Sequence, residues 1–475
     1  MKDVHDQTGN GPAAAGVSYP VHQEITLGRM LALAFPVIVS QASETIMLFF
    51  NRYFVSLLGA AYIPASMSGG LTQYVFTSLF AGIVGYVNAL AAQYHGAGRP
   101  DRCLQAVSQG LWLSVLFYPV LLGLIPLVHR GFSWAGHDPL QVSLEFAYFR
   151  ILMLGSLLFL VQSVLTGYFV GLGRTRVVMI ASLLGIFVNV PLNWILVLGH
   201  LGAPRLGIEG AAIGTLAGTF FIVAILLVAY LRSPIHRQYS AAQTWKPRRD
   251  LLAKLLRYGA PAGAESFVNV FAFNVFVLLM HSYGPAVATA VTITFNYDLV
   301  AFIPMLGVGT AVTALVGQRM GAGDIPGARR AASLGLRVAW SFAGLMVVLF
   351  VAGAPALVRV FASGFTAEEQ SILPLAVLLL RLAAVYTLAD ATQIVFAGAL
   401  RGAGDTIWIM IVSGALHWAM AAAAYVLIRV LVLPPVIVWL FFIGFVITLS
   451  VSVFLRHRRG KWQTIRLVES APAPG

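Results

Sequence analysis

The chain has 475 residues, of which 59% are hydrophobic and only 10% are charged, whereas roughly a quarter of the residues in soluble domains are charged. That composition excludes a water-soluble globular protein, and the need to pair every backbone polar group inside lipid leaves only helices or a closed barrel. The net charge of +13 indicates either an anionic partner, such as nucleic acid, or a membrane orientation signal.

Apolar runs much longer than the roughly ten-residue strands of a membrane barrel predict twelve transmembrane helices, called spans 1 to 12. A hydrophilic segment, residues 1–25, precedes span 1 and contains no signal-peptide pattern. A basic linker, residues 232–251, separates spans 6 and 7, and a basic tail, residues 456–475, follows span 12. The predicted spans cover residues 28–56, 62–88, 105–128, 143–170, 176–199, 207–231, 252–281, 286–316, 329–354, 371–400, 406–429 and 434–455.

The basic residues are concentrated in the linker, the tail and the loops on the side of the N-terminus. The loops on the opposite side hold only Arg52, Arg130, Arg205, Arg359 and Arg429. This asymmetry follows the positive-inside rule, so it predicts that both termini are cytoplasmic. A nucleic-acid partner is therefore not needed to explain the charge, and a bacterial inner membrane is the expected location.

The two halves of the chain repeat each other at an offset of 225 to 231 residues. Each half has six spans, an even number, so both halves enter the membrane from the same side and form parallel repeats. We predict an N-lobe, residues 26–231, and a C-lobe, residues 252–455, with a substrate site between them near the membrane midplane. A channel is the less favoured alternative for such repeats. The matching pairs include Pro36 and Pro261, Gln93 and Gln318, Gly96 and Gly321, and Gly171 and Gly402.

Several motifs resemble the multidrug and toxic-compound extrusion (MATE) family of cation-coupled antiporters. They are LAFPVIVSQ in span 1, FVNVPLNWILVLGHLGAPRLGIEGAAIGT across spans 5 and 6, GQRMGAGD after span 8, and DATQIVFAGALRGAGDT in span 10. The GxxxDRxGRR turn of the major facilitator superfamily is not matched by HGAGRPDR after span 2. The resemblance implies an all-α membrane transporter that exports organic, cationic amphipathic compounds in exchange for protons or sodium.

Other functions fit the sequence less well. A flippase for lipid-linked saccharides, from the same superfamily, moves anionic carriers and would require Arg residues in its cavity. A non-transporting receptor has little use for carboxylates at membrane depth, and no nucleophile and base or phosphate loop indicates an enzyme. We therefore expect a monomer that binds small molecules and lipid, with no cofactor other than the coupling ion.

Four acidic residues are predicted to lie deep in the membrane, away from the ends of the spans: Glu44, Glu265, Asp298 and Asp390. Because a charge at the bilayer centre costs at least about 2.5–3.5 kcal/mol, each is a candidate functional residue. Asp390 lies 11 residues before Arg401, about 16 Å along a helix and close to the expected midplane. In the MATE family, an Asp and a Tyr at the positions of Asp390 and Tyr386 belong to the C-lobe cation site.

The resemblance also shows departures in span 7, where Asn269 occupies a position that is usually acidic. Glu265, one turn earlier, is predicted to supply the carboxylate, and Asn269 a neutral oxygen, so that Asp390, Glu265 and Asn269 form a sodium site. The alternative is that Glu265 only hydrogen-bonds a neighbouring helix. Asp298 is expected to face the cavity beside Glu265.

The N-lobe departs from the family as well. Asn51, which cannot titrate, replaces the usual acid of span 1, and Glu44, two turns earlier, is the candidate to carry the charge instead. Asn189 and Asn193 match polar positions that accompany that acid in the family. The alternative for both is hydrogen bonding between helices. The sequence does not identify the substrate or choose between sodium and protons.

Overall fold

The computed structural model describes residues 24–59, 62–134, 138–239, 244–361 and 372–468, and within these ranges the regular structure is helical. Among the described residues, eleven helices are long and apolar enough to cross a membrane, and a bent pair makes a twelfth span, which confirms the predicted number. They are α1 Leu27–Ser56, α2 Tyr62–Gly96, α3 Pro100–Phe132, α4 Pro139–Leu154 with Ser156–Gly171, α5 Thr175–Leu198, α6 Ile208–Leu231, α7 Arg249–His281, α8 Pro285–Gly321, α9 Ile325–Ala352, α10 Leu373–Ala403, α11 Thr406–Val430 and α12 Pro435–Arg458.

The observed helices differ from the predicted spans mainly at their ends and at one bend. α2 continues to Gly96 and α8 to Gly321, because polar residues extend a helix freely once it has left the hydrocarbon core. α4 bends by 48° at Gly155, and α11 ends in a π-helical turn, Val426–Val430. Short helices at Pro234–Gln238 and Ala354–Phe361 lie between the spans. Much of the predicted N-terminal segment and part of the predicted linker and tail fall outside the described residues.

Glycine residues bring helices of the two sequence halves into backbone contact. A Cβ atom added at Gly259 of α7 would lie 2.6 Å from the carbonyl oxygen of Ile83 in α2, and one added at Gly263 would lie 2.1 Å from that of Leu79. This is the small-xxx-small spacing that lets membrane helices approach closely. On the other side of the molecule, a Cβ at Gly307 of α8 would lie 2.9 Å from the Cα atom of Ile38 in α1.

The ends of α2 and α8 join the two halves by a reciprocal pair of hydrogen bonds, which we call the clasp. The Gln93 side chain donates to the carbonyl oxygen of Gly402 at 2.8 Å, and the Gln318 side chain donates to that of Gly171 at 2.8 Å. Gln93 and Gln318 are equivalent in the sequence repeat, as are Gly171 and Gly402. The clasp is therefore two-fold symmetric and closes the halves on each other on the side of the chain's N-terminus.

Gly96 and Gly321 allow the clasp to form, since each lies directly against the other half. A Cβ atom at Gly96 would lie 1.9 Å from the Gln318 carbonyl oxygen, and one at Gly321 would lie 1.9 Å from the Gln93 carbonyl oxygen. These carbonyl oxygens belong to helix backbones, so they cannot move away from an added Cβ atom as the end of a flexible side chain could. A methyl group at either position therefore fits only if the two halves separate at this end.

We predict that Gly321→Ala weakens the clasp, because overpacking costs roughly 1–3 kcal/mol and separation of the halves relieves it. Spin labels placed in the turns after α2 and after α8 should report longer distances in this variant than in the parent. The sole native thiol, Cys103, is buried, which favours selective labelling. Gly344→Ala is the matched control, since its Cβ meets no atom within 4 Å. Equal distances in both variants would contradict the prediction.

Candidate functional site

Asp298 of α8 and Asp390 of α10 form a pair of neighbouring carboxylates in the C-terminal half. The two helices pack along each other, and the two half-buried side chains lie within range of each other's charge. Tyr386, one turn before Asp390, lies close to both carboxylates. We call Asp298, Tyr386 and Asp390 the carboxylate cluster. It contains two of the predicted functional acids and the tyrosine that the resemblance placed with Asp390.

The carboxylate cluster lacks a counter-ion from the protein. In the described parts of the chain, no Lys, Arg or His forms an ion pair with Asp298 or Asp390. Two neighbouring carboxylates in a low-dielectric interior repel each other strongly, so the pair is stabilised when a proton or a cation is shared between them. The cluster therefore has the chemistry of a cation-binding site.

Aromatic packing holds the tyrosine of the carboxylate cluster in place. The ring of Tyr386 is 1% exposed and meets that of Phe442 in α12 edge to face, with centroids 5.5 Å apart. Its hydroxyl is buried without a hydrogen bond of standard geometry, although the Asp298 carboxylate lies within its reach. The hydroxyl is thus placed to hydrogen-bond Asp298 or a ligand that enters the cluster.

Glu265 of α7, by contrast, is paired with Arg401 at the end of α10. The Arg401 guanidinium donates to both carboxylate oxygens, at 2.6 and 3.3 Å, and Glu265 is only 1% exposed. Asn269 is also occupied, since it is hydrogen-bonded to Ser413 of α11 at 3.0 Å. The observed arrangement of Glu265 matches the alternative of a structural contact with a neighbouring helix.

The three residues of the predicted sodium site are thus not assembled in this conformation. Glu265 is held by Arg401, which lies about 16 Å along α10 from Asp390, and Asp390 is grouped with Asp298 and Tyr386 instead. Asp298 correspondingly lies beside Asp390 rather than beside Glu265. No group of three or more His, Cys, Asp or Glu side chains that could hold a metal ion occurs within the described ranges.

The N-terminal half contains a neutral network in place of a carboxylate pair. The Asn51 amide donates to the hydroxyl of Thr215 at 2.7 Å and accepts from Asn193 at 2.6 Å. Asn193 also donates to the carbonyl oxygen of Asn189. All three asparagines are buried, and both polar atoms of the Asn189 side chain lack a partner in the described region. Asn51 and Asn193 thus make contacts between helices, whereas the amide of Asn189 is available to a polar ligand.

Two acidic residues of the N-terminal half accept hydrogen bonds from glutamine side chains. Half-buried Glu44 accepts a hydrogen bond from Gln162 of α4 at 2.9 Å and lies within electrostatic range of Tyr74 in α2. Glu145 of α4 is fully buried and accepts from Gln141 at 2.9 Å. Sequence reasoning missed Glu145, because it lies only two residues inside the start of predicted span 4 and not deep in the span.

Comparison with known proteins agrees with this architecture. The MatE family model matches residues 36–195 and 261–426, which are the corresponding parts of the two halves. The fold is similar to three solved structures, each 20% identical in sequence, with 93% of this chain and 97% of the other covered. One is a MOP superfamily transporter from Pyrococcus furiosus whose binding pocket is described as having reverse polarity, with a TM-score of 0.84. The others are a MATE in complex with MaL6 and a multidrug resistance MATE transporter in an outward-facing conformation, each with a TM-score of 0.83.

The pairing of Glu265 with Arg401 leads to a prediction about stability. Arg401→Met should destabilise the protein by about 3–5 kcal/mol, because it leaves a buried carboxylate without its counter-ion. Adding Glu265→Gln should restore most of that loss, since the double variant no longer buries a charge. Thermal unfolding of the two variants and of the Glu265→Gln single variant measures the coupling. Additive effects of the two substitutions would show that the pair has no energetic significance.

Proposed function

This chain belongs to the MatE family, a family of transporters, and we propose that it is a secondary antiporter. In this proposal it exports organic, cationic amphipathic compounds in exchange for protons or sodium. The observation that carries the proposal is the carboxylate cluster, in which Asp298 and Asp390 lie together without a basic partner from the described residues. Because the two carboxylates repel each other, binding of one proton or cation between them is more favourable than leaving the pair empty.

Competition for the carboxylate cluster provides the exchange. A coupling ion that binds between Asp298 and Asp390 neutralises the charge that attracts a cationic substrate, so the two ligands exclude each other. Tyr386 donates its hydroxyl either to Asp298 or to the bound ligand. The Tyr386 ring packs on Phe442, which in turn packs on Phe295 and Trp439 with centroids 6.0 and 5.7 Å away. This aromatic wall limits the access of water to the cluster. Antiport further requires that the two ligands favour different conformations.

The clasp supplies the element that changes between those conformations. Gln93 and Gln318 close one end of the molecule, so access to the cluster from that side requires both hydrogen bonds to break together. The predicted topology makes this the cytoplasmic side. Substrate is then taken up when the clasp is open and released on the opposite side when it is closed. Rocking of two parallel repeats about a fixed site is the general form of such transport.

Within this proposal the N-terminal network has a supporting role. Asn51, Asn189 and Asn193 bear no charge, so they bind a neutral polar group of the substrate or stabilise the packing of α1 and α5. Glu44 remains a second candidate for cation binding, since its partner Gln162 is uncharged. We place the protein in a bacterial inner membrane as a monomer with both termini in the cytoplasm, and without a cofactor beyond the coupling ion.

A flippase for lipid-linked saccharides is the alternative within the superfamily. A pyrophosphate carrier would need basic side chains beside the carboxylate cluster, and Arg401 is the basic residue at the end of the helix that carries Asp390. Its charge is neutralised by Glu265 at 2.6 Å. This pairing and the unpaired carboxylates favour a cationic substrate over an anionic one.

The proposal predicts that Asp390→Asn and Asp298→Asn each lower gradient-driven transport to less than about a tenth of the parent rate, since neither ligand can then drive the conformational change. Uptake of a fluorescent organic cation into inside-out vesicles, under an imposed pH gradient and then an imposed sodium gradient, measures the effect and identifies the ion. Glu209→Gln is the control, because its contact with Arg150 is long, at 4.0 Å, and partly exposed. Normal uptake by either Asp variant would overturn the assignment.

A further inference from the structure

A groove of about 570 Å³ lies between α1, α8 and α9. Its volume is in the range of ordinary ligand pockets, about 300–1,000 Å³. It joins the two halves, because α1 belongs to the N-terminal half and α8 and α9 to the C-terminal half. The groove is lined by Leu27, Leu31, Ile38, Pro304, Met305, Val308, Leu334, Arg337, Val338, Ala339, Ser341 and Phe342.

Arg337 is the single charged residue of this lining. The 28 residues of α9 span about 42 Å, roughly 12 Å more than the hydrocarbon core. Arg337 lies 12 residues after Ile325, about 18 Å from the start of the helix. If α9 is centred in the bilayer, the Arg337 backbone is about 12 Å inside the hydrocarbon boundary. Its side chain leans toward the helix N-terminus, which brings the guanidinium toward the lipid phosphates of that leaflet.

Arg337 has no acidic partner among the residues that the structure describes. Two other Arg residues inside the predicted spans do have protein partners: Arg150 lies 4.0 Å from Glu209, and Arg381 donates to the carbonyl oxygen of Val351 at 3.2 Å. Beside Arg337, the Ser341 hydroxyl donates to the Arg337 carbonyl oxygen. An exposed cation at this depth is costly without a counter-ion, so the partner must come from outside the protein.

We propose that the groove binds one anionic phospholipid of the bilayer, with its phosphate on Arg337 and an acyl chain against the apolar wall. A planar guanidinium forms two parallel hydrogen bonds to a phosphate, and the remaining lining of leucines, valine and phenylalanine suits a hydrocarbon chain. The lipid enters from the side, since Leu27 and Leu31 are 50% and 44% exposed. A lipid in this position contacts both halves of the protein.

Native mass spectrometry of the full-length protein in detergent tests the proposal. The protein is titrated with phosphatidylglycerol, then with phosphatidylcholine of the same chain length. We expect phosphatidylglycerol to bind at least about tenfold more tightly, corresponding to about 1.4 kcal/mol, with one tight site for each chain. Arg337→Gln should abolish this preference. Leu334→Trp, which fills the groove, should weaken binding of both lipids.

Arg330→Gln is the matched control. Arg330 lies two turns earlier on the same helix, but it is paired with Glu24 at 3.0 Å and lies at the exposed end of α9, so its loss should leave lipid binding unchanged. Inorganic phosphate at millimolar concentration should not compete, since it lacks the acyl chain. The proposal is overturned if Arg337→Gln binds phosphatidylglycerol as the parent does, if phosphatidylcholine binds equally well, or if free phosphate displaces the lipid. Circular dichroism of each variant confirms that it is folded.

Discussion

The constraint on which this structure depends is that a polar group inside a bilayer must find a partner, since lipid provides none. Most of the buried polar groups find such a partner within the chain. Glu265 pairs with Arg401, Glu44 with Gln162, and Asn51 with Thr215 and Asn193. Two charged sites, the Asp298 and Asp390 pair and Arg337, form no ion pair with another described residue. We propose that their partners come from outside the protein, a cation in the first case and a lipid phosphate in the second.

The contacts between the two halves follow the sequence repeat, but the positions of the acidic residues do not. Gln93 and Gln318 make equivalent bonds across the interface, and Gly96 and Gly321 make equivalent backbone contacts. Asp390, however, has Phe159 at its equivalent position. Because both halves share the closing contacts, the proposed transport cycle moves them as matched bodies. Because the carboxylate pair lies in one half, we propose that the coupling ion acts on that half.

Much of the fold was predictable from the sequence, since it rests on local properties. Apolar length sets the number of spans, and the offset between Gln93 and Gln318 revealed the repeat. The bend at Gly155 was not predicted, because a single glycine within an apolar run does not distinguish a straight helix from a bent one.

The grouping of the acids depends on contacts between distant residues, which the sequence indicates poorly. Asp390 and Tyr386 are one turn apart on the same helix, so the sequence alone is enough to group them. Asp298 was expected beside Glu265, but the packing of α8 against α10 brings it to Asp390 instead. The pairing of Arg401 with Glu265, 136 residues away in the chain, was not predicted, because it depends on how α7 and α10 approach each other.

The most direct test of the central claim is to count the ions that leave the purified protein when an organic cation such as ethidium binds. If the unpaired carboxylates hold the coupling ion, binding of ethidium should release protons or sodium from the parent protein. The Asp298→Asn, Asp390→Asn double variant, at saturating ethidium, should release none. Release of the same number of ions by the folded double variant would contradict the account, because the coupling ion would then reside elsewhere.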